Sequence, residues 1–387
     1  MKGPSGRYGN VLARLLTFIL DNSLLLLAGT ATAVLWANLD PHGYEEVAHS
    51  LHFGINEVGM VFFFAVATKE VFEATLPGGS LSSVKRAAVP LLAACGGMII
   101  PALLYMALVR SSGHSALAAG WAIPCATDIA FSYLVARFIF GSSHPALPFL
   151  LLLAIADDAL GLIILAVFYP SAPLQPLWFA VLFLLALGTA WTLRKRRTPS
   201  FWPYLLVAGP ISWAAFYVGG LHPSLALVPV VPFIPHAHAD IGLFDKREAH
   251  RADPLNRFEH MLKIPVQVIL MLFGFVNAGV PFADIGPGTW IVLASIAIGK
   301  PLGIGLFTEA AVLGGLARPT GITRRDVVVV GCVAGIGFTV ALFFATAAFP
   351  PGALLDQTKM GALFSFGAAL LALIGARSLR VGRFRLH

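Results

Sequence analysis

Apolar residues run along this chain in blocks of about twenty, broken by short polar segments that hold most of the charge. A helix needs about that length to cross the hydrocarbon core of a bilayer. The pattern predicts twelve spans, roughly 21–39, 55–76, 87–109, 115–136, 145–169, 174–193, 201–219, 221–235, 260–282, 289–313, 326–349 and 357–378. The eighth is short and proline-rich (PVVPFIP). The segment after the first span, NLDPHGYEEVAHSLHFG, reads as a short loop without the alternation of a strand pair. The expected fold is an all-α polytopic membrane protein, with residues 1–387 forming one integral membrane domain.

Composition agrees with this reading. The 387 residues are 58% hydrophobic and 12% charged, against about 25% charge in a soluble domain. A net charge of +7 would suit a nucleic-acid partner, but its placement points to membrane topology instead. Lys2, Arg7, Arg14, Lys85, Arg86, Arg137, the run at 194–197, Lys246, Arg247, Arg251, Arg257, Lys263, Arg318, Arg324, Arg325, Arg377, Arg380, Arg383 and Arg385 fall on one side of the predicted spans. They are 22 of the 26 Lys and Arg, and only Arg110 and Lys359 fall on the other side. By the positive-inside rule both termini are cytoplasmic and the number of crossings is even. Trp36, Trp178, Trp191, Trp202 and Trp290 lie near span ends, as an aromatic belt does.

The N-terminal basic residues could pass for the start of a signal peptide, but Asp21 and Asn22 interrupt the apolar stretch. Asp21, Asn22 or Ser23 is expected to cap the first helix, with 11–20 along the interface. Cys95, Cys125 and Cys332 sit in apolar stretches without metal-ligand spacing and read as small hydrophobes. His42, His49 and His52 on the first loop, and His236 and His238 on a later one, read as solvated side chains rather than metal ligands.

The remaining two basic residues, Lys69 and Lys300, lie within spans, and Lys300 shares its mid-span depth with Asp128, Asp157 and Asp158. The two adjacent aspartates interrupt LPFLLLLAIADDALGLIILAVFY at 147–169. Each carboxylate at that depth costs roughly 2.5–3.5 kcal/mol, so the pair needs a cation, protons or a countercharge. At about 1.5 Å rise per residue, Asp128, the aspartate pair, Lys300 and the Gly335-Ile336-Gly337 break all reach the same mid-membrane level. Pro124 near Asp128 removes a backbone donor and disfavours helix before it. A simple kink and close-packed glycines explain each break alone. Two interrupted spans far apart in the chain instead point to an inverted-repeat transporter with its site at the midplane. The repeats expected are 87–169 and 289–378, each with two discontinuous half-helices in its middle span.

Asp128 would neutralise the positive ends of broken helices and Lys300 the negative ends, or Lys300 would pair with an aspartate of the dyad. Two carboxylates close together in low dielectric cannot both ionise cheaply. A small hard cation can coordinate both, with the Thr127 hydroxyl and unwound carbonyls completing the shell, or protons can do the same work. Occupancy by cation or protons, with alternating access, is antiport.

The strings PCATDIAF, LLLAIADDALGLIILAVFY, IGKPLGI and GIGFTVALFF resemble the NhaA-type sodium/proton antiporters, as do GGMIIPALLY at 96–105, RFEHMLK at 257–263 and FVNAGV at 275–280. The resemblance runs in order over nearly the whole chain. That family is itself a standard instance of the inverted-repeat fold. The resemblance implies a cation and proton site at Asp157 and Asp158, with Thr127, Asp128 and Lys300 matching the family's broken-helix threonine and aspartate and its mid-span lysine. It implies no cofactor, only transported Na⁺ or Li⁺ and H⁺, and a bacterial inner-membrane location. Exchange of two inward protons for one outward Na⁺ moves one net charge, worth about 2.3 kcal/mol per 100 mV.

Three rivals stand beside antiport. An intramembrane aspartyl protease would use Asp128 with Asp157, but its G-x-G-D element is missing. A proton-coupled carrier of an organic solute needs a wider polar cavity than these spans offer. A channel would dissipate a cation gradient without moving protons.

The chain also departs from the family. The family's E-V-K-R-E type cluster, associated with pH activation, here reads ATKEVFEATLPGG: Lys69, Glu70 and Glu73 keep charge, while Phe72 replaces the basic residue after Val71. Glu259 and His260 are kept, and Lys263 stands where a later histidine is usual. The expectation is a pH response that is retained but shifted. A transport–pH profile identical to that of relatives with the full cluster would contradict it. The first loop also lacks the β-hairpin that pairs subunits in the family, so a weak or absent homodimer is expected. Stable dimers in detergent at low micromolar protein would contradict that.

Overall fold

The computed structural model describes residues 24–79, 81, 84–236 and 253–385. Lys2, Arg7, Arg14, the interfacial stretch 11–20, the candidate caps Asp21, Asn22 and Ser23, and His238, Lys246, Arg247 and Arg251 lie outside them, as do the side chains of Lys85 and Arg86.

The described chain is helical, with no strand. α1 spans Leu24–Leu39, and Asp40 caps α2, Pro41–Phe53, accepting from the Gly43 N–H at 3.1 Å. Proline at the first helical position needs no donor there. A π-helical turn, Gly54–Gly59, joins α2 to α3, Met60–Thr75, in one run of 35 residues. The segment expected as a loop is therefore a helix. Its many polar residues hid it from a hydropathy reading, although its cap and proline are ordinary start signals. His42, His49 and His52 lie on this helix rather than on a loop.

α4 is Val84–Ser111, followed by a 3₁₀ stretch, Ser115–Cys125, and α5, Ile129–Phe140. Then come α6, Ala146–Phe168; α7, Pro176–Lys195; and α8, Gly209–Gly219, preceded by a π turn at Tyr204–Ala208. α9 is Pro254–Asn277, and α10, Pro287–Ala294, runs through a π turn into α11, Lys300–Leu313. α12, Arg324–Ala334, and α13, Phe338–Ala348, precede α14, Ala353–Phe364, and α15, Gly367–Ser378.

Seven helical runs among the described residues are long and apolar enough to cross a membrane, or nine when each of two bent pairs is one span. Leu24–Leu39 and Tyr204–Gly219 are shorter apolar helices. The predicted eighth span is not a regular helix. Residues 221–235 form turns around two short 3₁₀ pieces, Pro223–Leu225 and Val231–Phe233. Its prolines remove the donors that a continuous helix requires.

The two bent pairs are the predicted broken spans. Ser115–Cys125 meets α5 at 57°, and α12 meets α13 at 51°. A 3₁₀ stretch of eleven residues is unusual. Here side chains from outside serve its backbone: Tyr105 Oη donates to the Leu117 carbonyl at 2.8 Å, and Tyr169 Oη donates to that of Ala119 at 2.8 Å. The breaks touch each other. The Asp128 N–H donates to the Ile336 carbonyl at 2.7 Å, and the buried Ser132 hydroxyl donates to that of Val333 at 3.0 Å. Gly337 sits against the Ala126 carbonyl where a Cβ has no room.

Each of the two triplets, α4 to α6 and α10 to α15, has its broken pair in the middle. Their first long helices meet at Gly96 and Gly303, each facing the other's backbone, and a Cβ on Gly96 would lie 2.5 Å from Phe307 Cγ. Small residues of this kind let membrane helices approach closely.

Candidate functional site

The crossing of the two broken spans places the named charges. Thr127 and Asp128 lie in the extended link before α5, and Asp157 lies midway along α6. Lys300 opens α11 directly after the π turn Ser295–Gly299, a widening common at functional positions.

Lys300 Nζ donates to Asp157 Oδ2 at 3.0 Å and to Thr127 Oγ1 at 2.7 Å. The Thr127 hydroxyl lies 2.7 Å from Asp157 Oδ2 and 3.0 Å from the Ala334 carbonyl, the last residue of α12. Its single proton serves one of the two at a time. The Lys300 and Asp157 side chains are 0% and 1% exposed, so this ion pair is fully buried. Asp157 Oδ1 is buried and takes no hydrogen bond from a described residue.

Asp158, one residue on, points elsewhere. It is half-buried and makes no hydrogen bond or ion pair with a described residue. Its carboxylate opens into a crevice of about 20 Å³, walled by Phe63, Phe64, Ala67, Leu162, Phe343 and Phe344. That is room for one water or a bare cation. Glu70, Asp157 and Asp128 all act on Asp158 with like charge, and Lys300 acts with opposite charge. The crevice thus collects negative potential with little to balance it, a setting that favours a small cation or a proton.

Asp128 does not join the Lys300 group. Its carboxylate accepts from the Phe131 N–H at 3.4 Å as the N-cap of α5, and from the Thr339 hydroxyl in the first turn of α13. One negative charge therefore faces the N-terminal ends of both half-helices, where the helix dipole is positive. The sequence reading placed Asp128 at broken-helix ends but named no partner for it. Thr339 lies two residues after the glycine break in the sequence, and that position was the available signal.

A second group lies at the far end of α3. Lys69 pairs with Glu73 at 2.5 Å and with Glu259 of α9. This brings together three of the residues expected to respond to pH. Glu70 makes no hydrogen bond or ion pair among the described residues but acts on Asp158 by charge, and His260 is exposed. Sequence reasoning missed a buried polar group where the π turn Gly54–Gly59 meets the end of α9 and the turn at His222. Asn56 and Asn277 exchange hydrogen bonds at 3.1 and 2.9 Å, and His222 Nδ1 lies 3.5 Å from Glu57. No chain spacing announces it, because the residues that meet come from segments more than 150 residues apart.

The Na⁺/H⁺ antiporter 1 family model matches residues 13–379. The chain belongs to the Na⁺/H⁺ antiporter 1 family. It is 47% identical to a Na⁺/H⁺ antiporter NhaA of Jannaschia sp. (strain CCS1), over 95% of this chain and 98% of that protein. It is 45% identical to a protein of the same name from Geobacter metallireducens, over 93% and 97%. The fold of this family member also resembles the sodium proton antiporter MjNhaP1 from Methanocaldococcus jannaschii. The TM-score is 0.53 at 16% identity, covering 96% of this chain and 94% of that one.

Breaking one side of a buried ion pair costs about 3–5 kcal/mol, because the other charge is stranded. Lys300→Ala is therefore expected to lower the unfolding temperature in detergent, and Asp157→Asn in the same chain to restore most of the loss. Equal unfolding temperatures for wild type, single and double variants would show that the pair contributes nothing.

Proposed function

We propose that the protein is a secondary antiporter that exchanges intracellular Na⁺ or Li⁺ for external H⁺ across a bacterial inner membrane. It serves sodium and pH homeostasis, with no enzymatic step. The observation that carries this reading is the buried Asp157–Lys300 pair beside an unpaired Asp158 that opens to a cation-sized crevice. Family membership and the names of the relatives support the same substrates.

In the arrangement seen, Asp157 is neutralised by Lys300 and needs no metal ion. A Na⁺ entering from the crevice would take oxygens from Asp158, Asp157 and Thr127, the hard donors such an ion prefers. Asp157 can serve the ion fully only when Lys300 releases it, and a cation held by the two carboxylates takes the place that protons would fill. Cation arrival is therefore coupled to proton departure. The reverse occurs when protons return to the aspartates and Lys300 recovers its partner.

The Phe64 and Phe343 rings, 5.0 Å apart edge to face, close one end of the crevice. Under the topology read from the charges, with both termini cytoplasmic, that end faces outward. Glu70 and the Lys69–Glu73–Glu259 group then lie toward the cytoplasm. This suits a form waiting for intracellular cation, with the ion-paired group placed to sense cytoplasmic pH. The matching layout of 87–169 and 289–378 supports the inverted-repeat reading, in which the two broken pairs rock against the other helices.

Sealed vesicles holding purified protein are expected to show Na⁺-driven proton flux, lost in both Asp157→Asn and Asp158→Asn. Robust exchange by both variants would refute the site. Sodium leak without proton movement would indicate a channel, and Na⁺-independent proton uptake driven by an organic solute would indicate the carrier alternative.

A further inference from the structure

The end of the chain builds a second site, away from the membrane midplane and unused by the exchange mechanism. α15 ends in a tight reversal in which the Val381 N–H donates to the Ala376 carbonyl at 2.9 Å. Arg380 occupies the left-handed position of that reversal, φ +55°, where glycine is usual. A non-glycine residue held there is strained. The tail beyond it is well packed. Val381 is 1% exposed, Gly382 lies against the backbone of Ile139 and Phe140, and the Arg383 guanidinium covers the Phe138 ring at 5.7 Å.

This folding brings Arg380 and Arg385 beside the start of α12. Together with Thr323, Arg324, Arg325 and Val381 they wall a pocket of about 340 Å³, a size that fits a small ligand. The charges within it are only partly spent. Arg324 pairs with Glu309 at 3.0 Å, and Arg385 lies 3.7 Å from Asp326. Arg325 has one long bond, to the Leu379 carbonyl at 3.4 Å, and Arg380 has no ion-pair partner among the described residues. The capping box uses the Thr323 and Asp326 N–H groups, so those of Arg324 and Arg325 have no acceptor among the described residues. Free amides at a helix N-terminus and bidentate guanidinia are what hold a phosphate group. Asp326 is 0% exposed; its Oδ2 accepts from the Thr323 N–H at 2.7 Å, and its Oδ1 is buried without a hydrogen-bond partner among the described residues.

The apolar surface beside the pocket indicates where the phosphate comes from. Val328, one turn along α12 from Arg324, is 41% exposed, and Leu371 and Ile374 on α15 are 43% and 63% exposed. These two helices pack together, so an apolar strip leads from the membrane to the four guanidinia.

We infer that this pocket binds the phosphate of an anionic phospholipid headgroup, with the acyl chains lying along Val328 and Ile374. The lipid fastens the C-terminal tail to the start of α12, the first half of the broken span that crosses at the ion site.

The test uses full-length protein purified in detergent, delipidated, and titrated with phosphatidylglycerol, phosphatidylcholine or inorganic phosphate. Retained lipid is read by native mass spectrometry and stability by thermal unfolding. The variant is Arg325→Gln with Arg380→Gly. Neither side chain has a carboxylate partner among the described residues to strand, and glycine relieves the left-handed position, so the fold is expected to survive. Phosphatidylglycerol should be retained and raise the unfolding temperature. At roughly fivefold per arginine, the variant should bind it on the order of thirtyfold more weakly. An equal response to inorganic phosphate supports the pocket and makes its occupant a soluble phosphate. Equal retention of phosphatidylglycerol by wild type and variant, or retention of phosphatidylcholine as strong as that of phosphatidylglycerol, overturns the proposal.

Discussion

A carboxylate that leaves water must be met by a cation or a proton, and Asp157 shows how this fold meets that demand. Lys300, 143 residues away in the chain, supplies the charge at 3.0 Å. Thr127 supplies the hydroxyl that orients both. The solution is left incomplete: Oδ1 of Asp157 has no hydrogen-bond partner among the described residues, and Asp158 faces an apolar-walled crevice under like charge from Glu70, Asp157 and Asp128. A site fully satisfied by protein groups would bind nothing further. One that is satisfied only through a removable lysine can trade partners.

That site depends on the crossing of the two broken spans. Interrupting a helix inside a membrane frees backbone groups that lipid cannot serve. Here the interruptions serve each other, through Asp128 N–H to Ile336 and through Ser132 to Val333. Asp128 then balances the two N-terminal ends through Phe131 and Thr339. The crossing holds Thr127 within reach of Asp157 and Lys300. The same half-helix α12 begins at the arginine-lined pocket and ends at Ala334, whose carbonyl lies 3.0 Å from the Thr127 hydroxyl.

Much of this was legible in the chain. Charges inside apolar runs identify themselves, and Pro124 and the Gly335–Gly337 pair mark the breaks because their backbone chemistry is local. Pairings were harder to read. Nothing in the spacing selects Asp157 over Asp158 as the partner of Lys300, since adjacent residues on a helix differ only in the direction they face. Thr339 as the partner of Asp128 depends on a crossing between segments 211 residues apart. Two readings failed for identifiable reasons. Hydropathy took 221–235 as a span, although its prolines forbid a continuous helix, and took 41–53 as a loop, although Asp40 and Pro41 announce a helix whose exposed face is polar.

The central claim is that sodium and protons compete for one pair of aspartates. Calorimetry of Na⁺ binding to the purified protein over a series of pH values tests it most directly. The account predicts affinity that weakens on acidification by on the order of tenfold per pH unit for each proton displaced, with proton release on binding that is absent in Asp158→Asn. Sodium affinity that does not change with pH would contradict it.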